Sequence, residues 1–333
     1  MGFRKLACAI AIVNSRQNPL RLLLRRIRRD REFVVGCFGS ISARATSVGR
    51  FRDRFGCYSS RPRGDGAPAL MRPERMNLAT RAGDKWRPPA LEPGRTVLGR
   101  RLAGVRRFFD FQAGSIWADV AAEAKTWSGK VVDLGCGAQP YRSLLPVGTT
   151  YVGLDIENAK ETFGYAPPNV SYFDGGRFPA AAQDADVIFC TEVLEHVLDP
   201  ARTLREAFFA LKPGGRLLLT VPFAARWHFV PNDYFRYTPS GLKHLLEAAG
   251  FRNIVVYARG DALTVACHKV QALMLPFLMP QRTSASQALA RRLLASPSIP
   301  FFLVLAIVGN ASLRSEGGDD CLGYTVTAER PLE

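Results

Sequence analysis

Residues 131–137 read Val131-Val-Asp-Leu-Gly-Cys-Gly137, an apolar run that ends in an acid and then two glycines one residue apart. A buried parallel strand feeding a nucleotide-binding turn has this pattern. Glycine lets the backbone turn sharply and come close to a ligand, because no Cβ blocks positive φ. Asp155 closes the next apolar run, Thr150-Tyr-Val-Gly-Leu-Asp155, twenty residues after Gly135. A carboxylate at that strand tip is placed to accept ribose hydroxyls, so the pair predicts an adenosine-containing cofactor.

The dinucleotide fingerprint needs a third glycine three residues after the second, so that a pyrophosphate can approach the helix. Pro140 stands there, which counts against NAD or FAD and leaves a cofactor without a pyrophosphate. Further segments follow in order: Gly153-Leu-Asp155, Phe173-Asp-Gly-Gly-Arg-Phe-Pro179, Asp186-Val-Ile-Phe-Cys-Thr-Glu-Val-Leu-Glu-His-Val197 and Leu211-Lys-Pro-Gly-Gly-Arg-Leu-Leu-Leu219. The series from about residue 130 to 255 resembles the class I S-adenosylmethionine (SAM)-dependent methyltransferases, in particular the small-molecule "type 11" group. One departure is Gln139, where many members carry a further glycine.

Strand patterns alternate with helical ones, which argues for a parallel sheet covered on both faces. Strands are expected at 130–134, 150–155, 169–173, 185–190, 215–221 and 252–257. A helix is expected from Thr203 to Leu211, stopped by Lys212-Pro-Gly-Gly215, and another from Gly241 to Ala249, capped by Ser240 and ended by Gly250. Helices between about 96 and 127 are expected to pack before the first strand and partly cover the cofactor. The resemblance implies a Rossmann-like, doubly wound α/β sheet of seven strands. The alternating stretch 323–329 would be the seventh, inserted antiparallel beside the sixth.

The net charge of +16 suggests a nucleic-acid partner, but its distribution argues against one. Residues 1–110 hold 25 Lys/Arg against 8 Asp/Glu, whereas residues 111–333 hold 20 against 21. The part that carries the motifs is therefore close to neutral. The Asn/Asp-Pro-Pro-Tyr/Phe motif of amino-directed DNA methyltransferases is also missing, with Cys190-Thr-Glu-Val in its place. The seven cysteines, at 8, 37, 57, 136, 190, 267 and 321, form no Cys-x-x-Cys pair. No disulfide framework and no metal site follows from that spacing, and a reducing, cytoplasmic setting fits it.

Residues 1–95 read as a basic, disordered N-terminal extension to a domain at 96–333. Arginine-rich runs such as Arg21-Leu-Leu-Leu-Arg-Arg-Ile-Arg-Arg29 bury too little apolar surface to offset chain entropy. A secretory signal around Leu6–Val13 and an Arg-rich organellar transit segment are weaker readings than a tail preceding a start at Met71 or Met76. Residues 261–313 are an apolar helical insertion between the sixth and seventh strands. Within it, Arg292 to Arg314 encloses 21 uncharged residues, nominally enough to span a bilayer, but Pro297, Pro300, Gly309 and Asn310 are expected to break that stretch, leaving a strictly apolar core from Phe301 to Val308. It reads as a cap packed on the domain, with peripheral membrane contact or a cover over a lipid-like substrate as the competing reading.

The resemblance implies that SAM is held by Asp133, Gly135, Cys136 and Gly137 at its methionine end and by Asp155 at its ribose. It also implies Asp174 and Gly175 at the adenine, with Thr191 and Glu192 at the carboxyl edge of the fourth strand. His196 and His228 are the candidate bases, His228 the better one. Asp233 joins them in Trp227-His-Phe-Val-Pro-Asn-Asp-Tyr-Phe-Arg-Tyr-Thr238, an aromatic-rich run suited to a small-molecule pocket. His228, Asp233 and Arg236 could equally form a structural network that fixes the loop. A base matters where the acceptor is a hydroxyl that holds its proton at pH 7. The expected activity is methyl transfer to a small or lipid-linked molecule, at oxygen, without nucleic acid. The alternatives are a degenerate fold acting as a scaffold and a nicotinamide-dependent oxidoreductase.

Overall fold

The computed structural model describes residues 96–333 except 165, 166, 282 and 316, together with residues 83, 84, 86, 88 and 94. All of these belong to one compact unit, Glu74–Glu333. The expectations for residues 1–82 fall outside the described residues.

Two helices come first, α1 (Val97–Phe109) and α2 (Phe111–Ala124). The sheet is built from β1 (Lys130–Leu134), β2 (Thr150–Ile156), β3 (Val170–Phe173), β4 (Ala185–Thr191), β5 (Leu211–Pro222), β6 (Arg252–Arg259) and β7 (Gly323–Glu329). Its strand order is β3-β2-β1-β4-β5-β7-β6. Every pairing is parallel except those of β7, which lies antiparallel between β5 and β6. The order reverses between β1 and β4, and the carboxyl ends of strands at such a switch point form the ligand crevice of open α/β sheets. The short α3 (Ala159–Phe163) follows β2, α4 (Pro200–Ala210) precedes β5, and α5 (Pro239–Ala249) precedes β6.

Each face of the sheet buries a separate core. Leu204 and Ala207 of α4 and Leu242 and Leu246 of α5 pack on Val132, Ile188 and Leu219. On the other face Ile116, Val120 and Ala124 of α2 pack with Trp127 on Val131, Phe189 and Leu218. Strands buried on both faces need continuous apolar runs, which is why β1 and β4 read as such in the sequence.

Three boundaries differ from expectation. Thr238, not Ser240, caps α5: its hydroxyl accepts the Gly241 N–H at 3.2 Å. Pro239 occupies the first helical turn, where its fixed φ suits the helix and its missing N–H costs nothing. Helix α4 starts three residues early because Asp199 accepts the Arg202 N–H at 2.9 Å. Lys212-Pro-Gly-Gly215 is carried inside β5 as a bulge, since Leu211 already pairs with Ala185 of β4.

The insertion forms α6 (Ala262–Leu278), α7 (Ala285–Ala295) and α8 (Ile299–Ser312). The α-helix is interrupted as expected at Pro297, which lies in the 3-10 turn Ser296–Ser298, whereas Pro300, Gly309 and Asn310 lie within α8 without breaking it. Helical structure runs from Ala285 through a 3-10 turn to Ser312. Pro297 and Pro300 each lie in a first turn, where proline is tolerated. Gly309 is retained by packing, because a Cβ there would stand 2.2 Å from the Phe111 ring. Asn310 turns its amide back to the Ala306 carbonyl at 2.8 Å and across to the Phe108 carbonyl at 2.7 Å. Phe111, Val265, Cys267, Ala306 and Leu322 seal the insertion onto the domain.

Candidate active site

The loop after β1 is held from beneath. Gly135 and Gly137 adopt φ of +69° and +48°. A Cβ on Gly135 would sit 2.3 Å from the Val193 side chain, so the position admits only glycine. The Gly137 N–H donates to Asp155 Oδ2 at 3.0 Å and the Ile156 N–H to Oδ1 at 2.9 Å. Gln139 is the one member of the turn that holds a left-handed φ, +58°, without being glycine. Gly153 supplies room for it: a Cβ there would lie 3.1 Å from both the Gln139 amide and the Cys136 sulfur.

Asp133 and Cys136 are both buried. Asp133 is 1% exposed and accepts the Tyr151 hydroxyl at 2.8 Å. Burial raises its carboxyl to about 7, opposed by that hydrogen bond and reinforced by nearby Asp155. Burial likewise pushes the Cys136 thiol up, with Asp133 and Asp155 adding to the effect. These two residues shape the floor of the loop. Asp155, at the tip of β2, also has its pKa raised by burial, against the pull of the two amides. Asp174 is exposed after β3, and its Oδ1 accepts the Gly176 N–H at 2.7 Å around Gly175, whose φ is +82°.

Glu192 follows β4 with a φ of +54°, and its Oε1 accepts from Arg259 Nη2 at 2.8 Å. Arg259 is 4% exposed at the end of β6 and also reaches the Val221 carbonyl at 3.1 Å. The alternation of β6 gave no sign of this partner, because an arginine at a strand end normally reads as solvated. Thr191 hydrogen-bonds Tyr141, whose hydroxyl pKa burial raises.

Glu195, His196, His228 and Asp233, separated by up to 38 positions in the chain, meet in space. The His196 and His228 ring centroids are 5.0 Å apart, with Phe163 and Phe229 each packed on His196 at 5.4 Å. His196 Nδ1 donates to the Asn232 carbonyl at 2.5 Å, which leaves Nε2 with its lone pair, 3.6 Å from Glu195 Oε1. Burial drives the His196 pKa down to about 4. Glu195 is fully buried, and neither carboxylate oxygen has a hydrogen-bond partner. Burial, with Glu192 close by, raises its pKa well above the usual carboxylate range.

His228 Nδ1 stands 3.0 Å from Asp233 Oδ2 and 3.0 Å from the Arg226 carbonyl. Burial alone would raise the Asp233 carboxyl; Arg236, at 2.6 and 2.8 Å, and His228 instead hold it far below the usual range. The structural network and the candidate base are therefore one object. Tied at Nδ1, His228 presents Nε2 as a proton acceptor. Residues assigned to the N-terminal extension also reach this loop: Asp84 accepts the Phe229 N–H at 2.9 Å, and Trp86 accepts from Arg226. Glu195, His196 and His228 are also a potential metal cluster, since one ligand atom from each lies within 4.8 Å of the others. The spacing in sequence did not disclose that grouping.

Residues 104–256 match the profile of a family described as "Methyltransferase domain". These residues are a class I SAM-dependent methyltransferase domain. The domain is similar to ubiquinone biosynthesis O-methyltransferases. One, from Coxiella burnetii (strain Dugway 5J108-111), is 35% identical over 104 residues, which cover 28% of this chain and 44% of the relative. Another, from Burkholderia thailandensis, is 29% identical over 168 residues, covering 42% and 71%. The chain thus spans less than half the length of the first of these relatives. Among solved structures, Haemonchus contortus phosphoethanolamine N-methyltransferase 2 with SAM superposes with a TM-score of 0.38 at 14% identity, over 65% of this chain and 53% of that one.

The residues of the methyltransferase domain fit the donor that its class takes. Each Asp155 oxygen already accepts one backbone amide, yet a carboxylate oxygen accepts two hydrogen bonds, so both keep capacity for ribose hydroxyls. Gly135 and Gly137, at φ of +69° and +48°, give the loop between β1 and Asp155 a turn that L side chains rarely adopt.

Proposed function

We propose that the protein transfers the methyl group of SAM to a hydroxyl oxygen of a small or lipid-linked acceptor in the cytoplasm. SAM supplies an electrophilic methyl on a sulfonium. Asp155 takes the ribose hydroxyls, Gly135 and Gly137 admit the methionine end, and Asp174 and Gly175 receive the adenine. Thr191 lines the carboxyl edge of β4.

The observation that carries the choice of oxygen is the tethering of His228 Nδ1 to Asp233 and the Arg226 carbonyl. A hydroxyl keeps its proton at neutral pH, and a base within reach removes it as the oxygen attacks. His228 Nε2 takes that proton. Asp233 fixes the ring and stabilises the imidazolium that results, so it acts as a positioning residue. Phe163 and Phe229 pack on His196 beside His228, an apolar setting for that proton transfer. The names of the curated relatives agree with oxygen as the acceptor atom.

The test has two parts. Calorimetry with SAM and with NADH measures the donor, and methyl-labelled SAM with a panel of phenolic and lipid-linked phenolic acceptors measures transfer. The expected result is SAM binding and a labelled O-methyl ether. Binding of NADH in place of SAM, or methylation confined to nitrogen, defeats the reading.

A further inference from the structure

We propose that the outer faces of α1, α7 and α8 dock the protein on the surface of an anionic lipid bilayer. The inference goes beyond the methyl-transfer reading and does not depend on it.

Helix α8 carries no charged residue in Ile299–Ser312. Its stripe Phe302, Ala306, Gly309 and Ser312 is buried on the domain, through Phe109 at 5.5 Å between ring centroids and through the Phe111 cluster. A surface helix in water turns polar residues to the opposite side. Helix α8 turns Phe301, Val304 and Ile307 outward, each more than half exposed. Helix α7 buries nothing, and Leu293 and Leu294 are 65% and 85% exposed. Helix α1, joined to α8 through Asn310 and the Phe108 carbonyl, exposes Leu98, Leu102 and Val105 at helical spacing.

Charge selects the occupant. No Asp or Glu occurs in residues 262–315 or in α1, whereas Arg100, Arg101, Arg291, Arg292 and Arg314 are all exposed there. A second copy of the chain would bring the same cations face to face. Residues 1–82, with 18 Lys/Arg and 5 Asp/Glu, are no better matched. An anionic headgroup layer over acyl chains satisfies both features: apolar side chains enter the interface, and arginine stems reach the phosphates. The helices lie on the surface and do not cross it. Helix α6 follows β6 and α8 leads back to β7, its immediate neighbour, so the insertion leaves and re-enters the sheet on one side.

The full chain is to be floated with vesicles of phosphatidylcholine alone and of phosphatidylcholine with phosphatidylglycerol. Binding to the mixed vesicles is expected, weaker by about tenfold or more without the anionic lipid and similarly weakened by high salt. The triple variant Phe301→Ser, Val304→Ser, Ile307→Ser is expected to lose binding by more than about tenfold. Arg100→Gln, Arg101→Gln, Arg291→Gln and Arg292→Gln together should bring the mixed vesicles down to the level of the neutral ones. Thermal melts without vesicles confirm that the variants fold. The proposal is overturned if the wild type does not float, or if neither variant changes flotation. It is equally overturned if light scattering shows a dimer that the triple variant dissolves. Calorimetry with SAM separates this result from the methyl-transfer reading, since a protein can float without binding SAM.

Discussion

Asp233 binds two partners at once: its Oδ2 lies 3.0 Å from His228 Nδ1, and both its oxygens take the Arg236 guanidinium at 2.6 and 2.8 Å. Arginine keeps the carboxylate ionised in a buried setting, and the carboxylate in turn keeps the imidazole oriented. His228→Ala and Asp233→Asn are each expected to lower kcat by about 10²–10⁴-fold with the affinity for SAM unchanged. Steady-state kinetics with calorimetry for the donor check this. A comparable rise in the SAM dissociation constant would instead mark the pair as a donor-site support.

The Gly137 amide on Asp155 predicts a donor-binding effect with the opposite signature. Asp155→Ala removes both the loop tether and the ribose acceptor, and should weaken SAM binding by about 10–100-fold, the worth of one or two charge-assisted hydrogen bonds. Gly135→Ala should lose binding and about 1–3 kcal/mol of stability, since positive φ and the Val193 contact both oppose a Cβ. Calorimetry and denaturant melts read the two effects separately.

The Glu192–Arg259 pair is expected to be structural. Removing Glu192 alone leaves a guanidinium buried without its counter-charge, and Glu192→Ala should cost about 3 kcal/mol. The double change Glu192→Leu with Arg259→Met should recover most of that loss. Urea melts of both variants decide the matter, and equal destabilisation of the two would show that the charge was never the issue.

Two buried groups give opposite pH trends. Asp133 holds its proton up to about pH 7, against 3.8 for a free aspartate side chain, so its contribution to stability is full below about pH 4 and lost as pH rises to 7. His196 stays neutral down to about pH 4, against 6.5, so its contribution is full above pH 6.5 and lost as pH falls to 4. The Tm advantage of wild type over Asp133→Asn should therefore shrink between pH 4 and 7, by an amount equivalent to about 4 kcal/mol. Its advantage over His196→Gln should grow across the same range. Parallel Tm curves would contradict both assignments.

Gly309 is expected to be fixed by the Phe111 ring. Gly309→Ala gains helix propensity of about 1 kcal/mol but forces the ring out of its seat, and a net loss of about 1–3 kcal/mol should appear in thermal melts.

Local signals made the sheet and the donor crevice legible in the sequence. Apolar runs marked β1, β2 and β4, and glycines marked the positive-φ turn after β1, because backbone conformation and burial of a single element depend on nearby residues. Of the expected breaks in the insertion, those at Pro300, Gly309 and Asn310 failed for a reason of the same scale. Proline in a first turn and glycine against a phenyl ring are compatible with a helix once a neighbour is present, and only the fold supplies the neighbour.

The sequence by itself determined the strands of the sheet, the glycine loop and the acid at the tip of β2. Tertiary structure alone decided that Arg259 claims Glu192, that the His196 and His228 rings meet, and that Asp84 and Trp86 reach the loop through Phe229 and Arg226. Those pairings join residues 32 to 145 positions apart. Their distances are set by strand order and loop closure, which no short stretch of chain encodes.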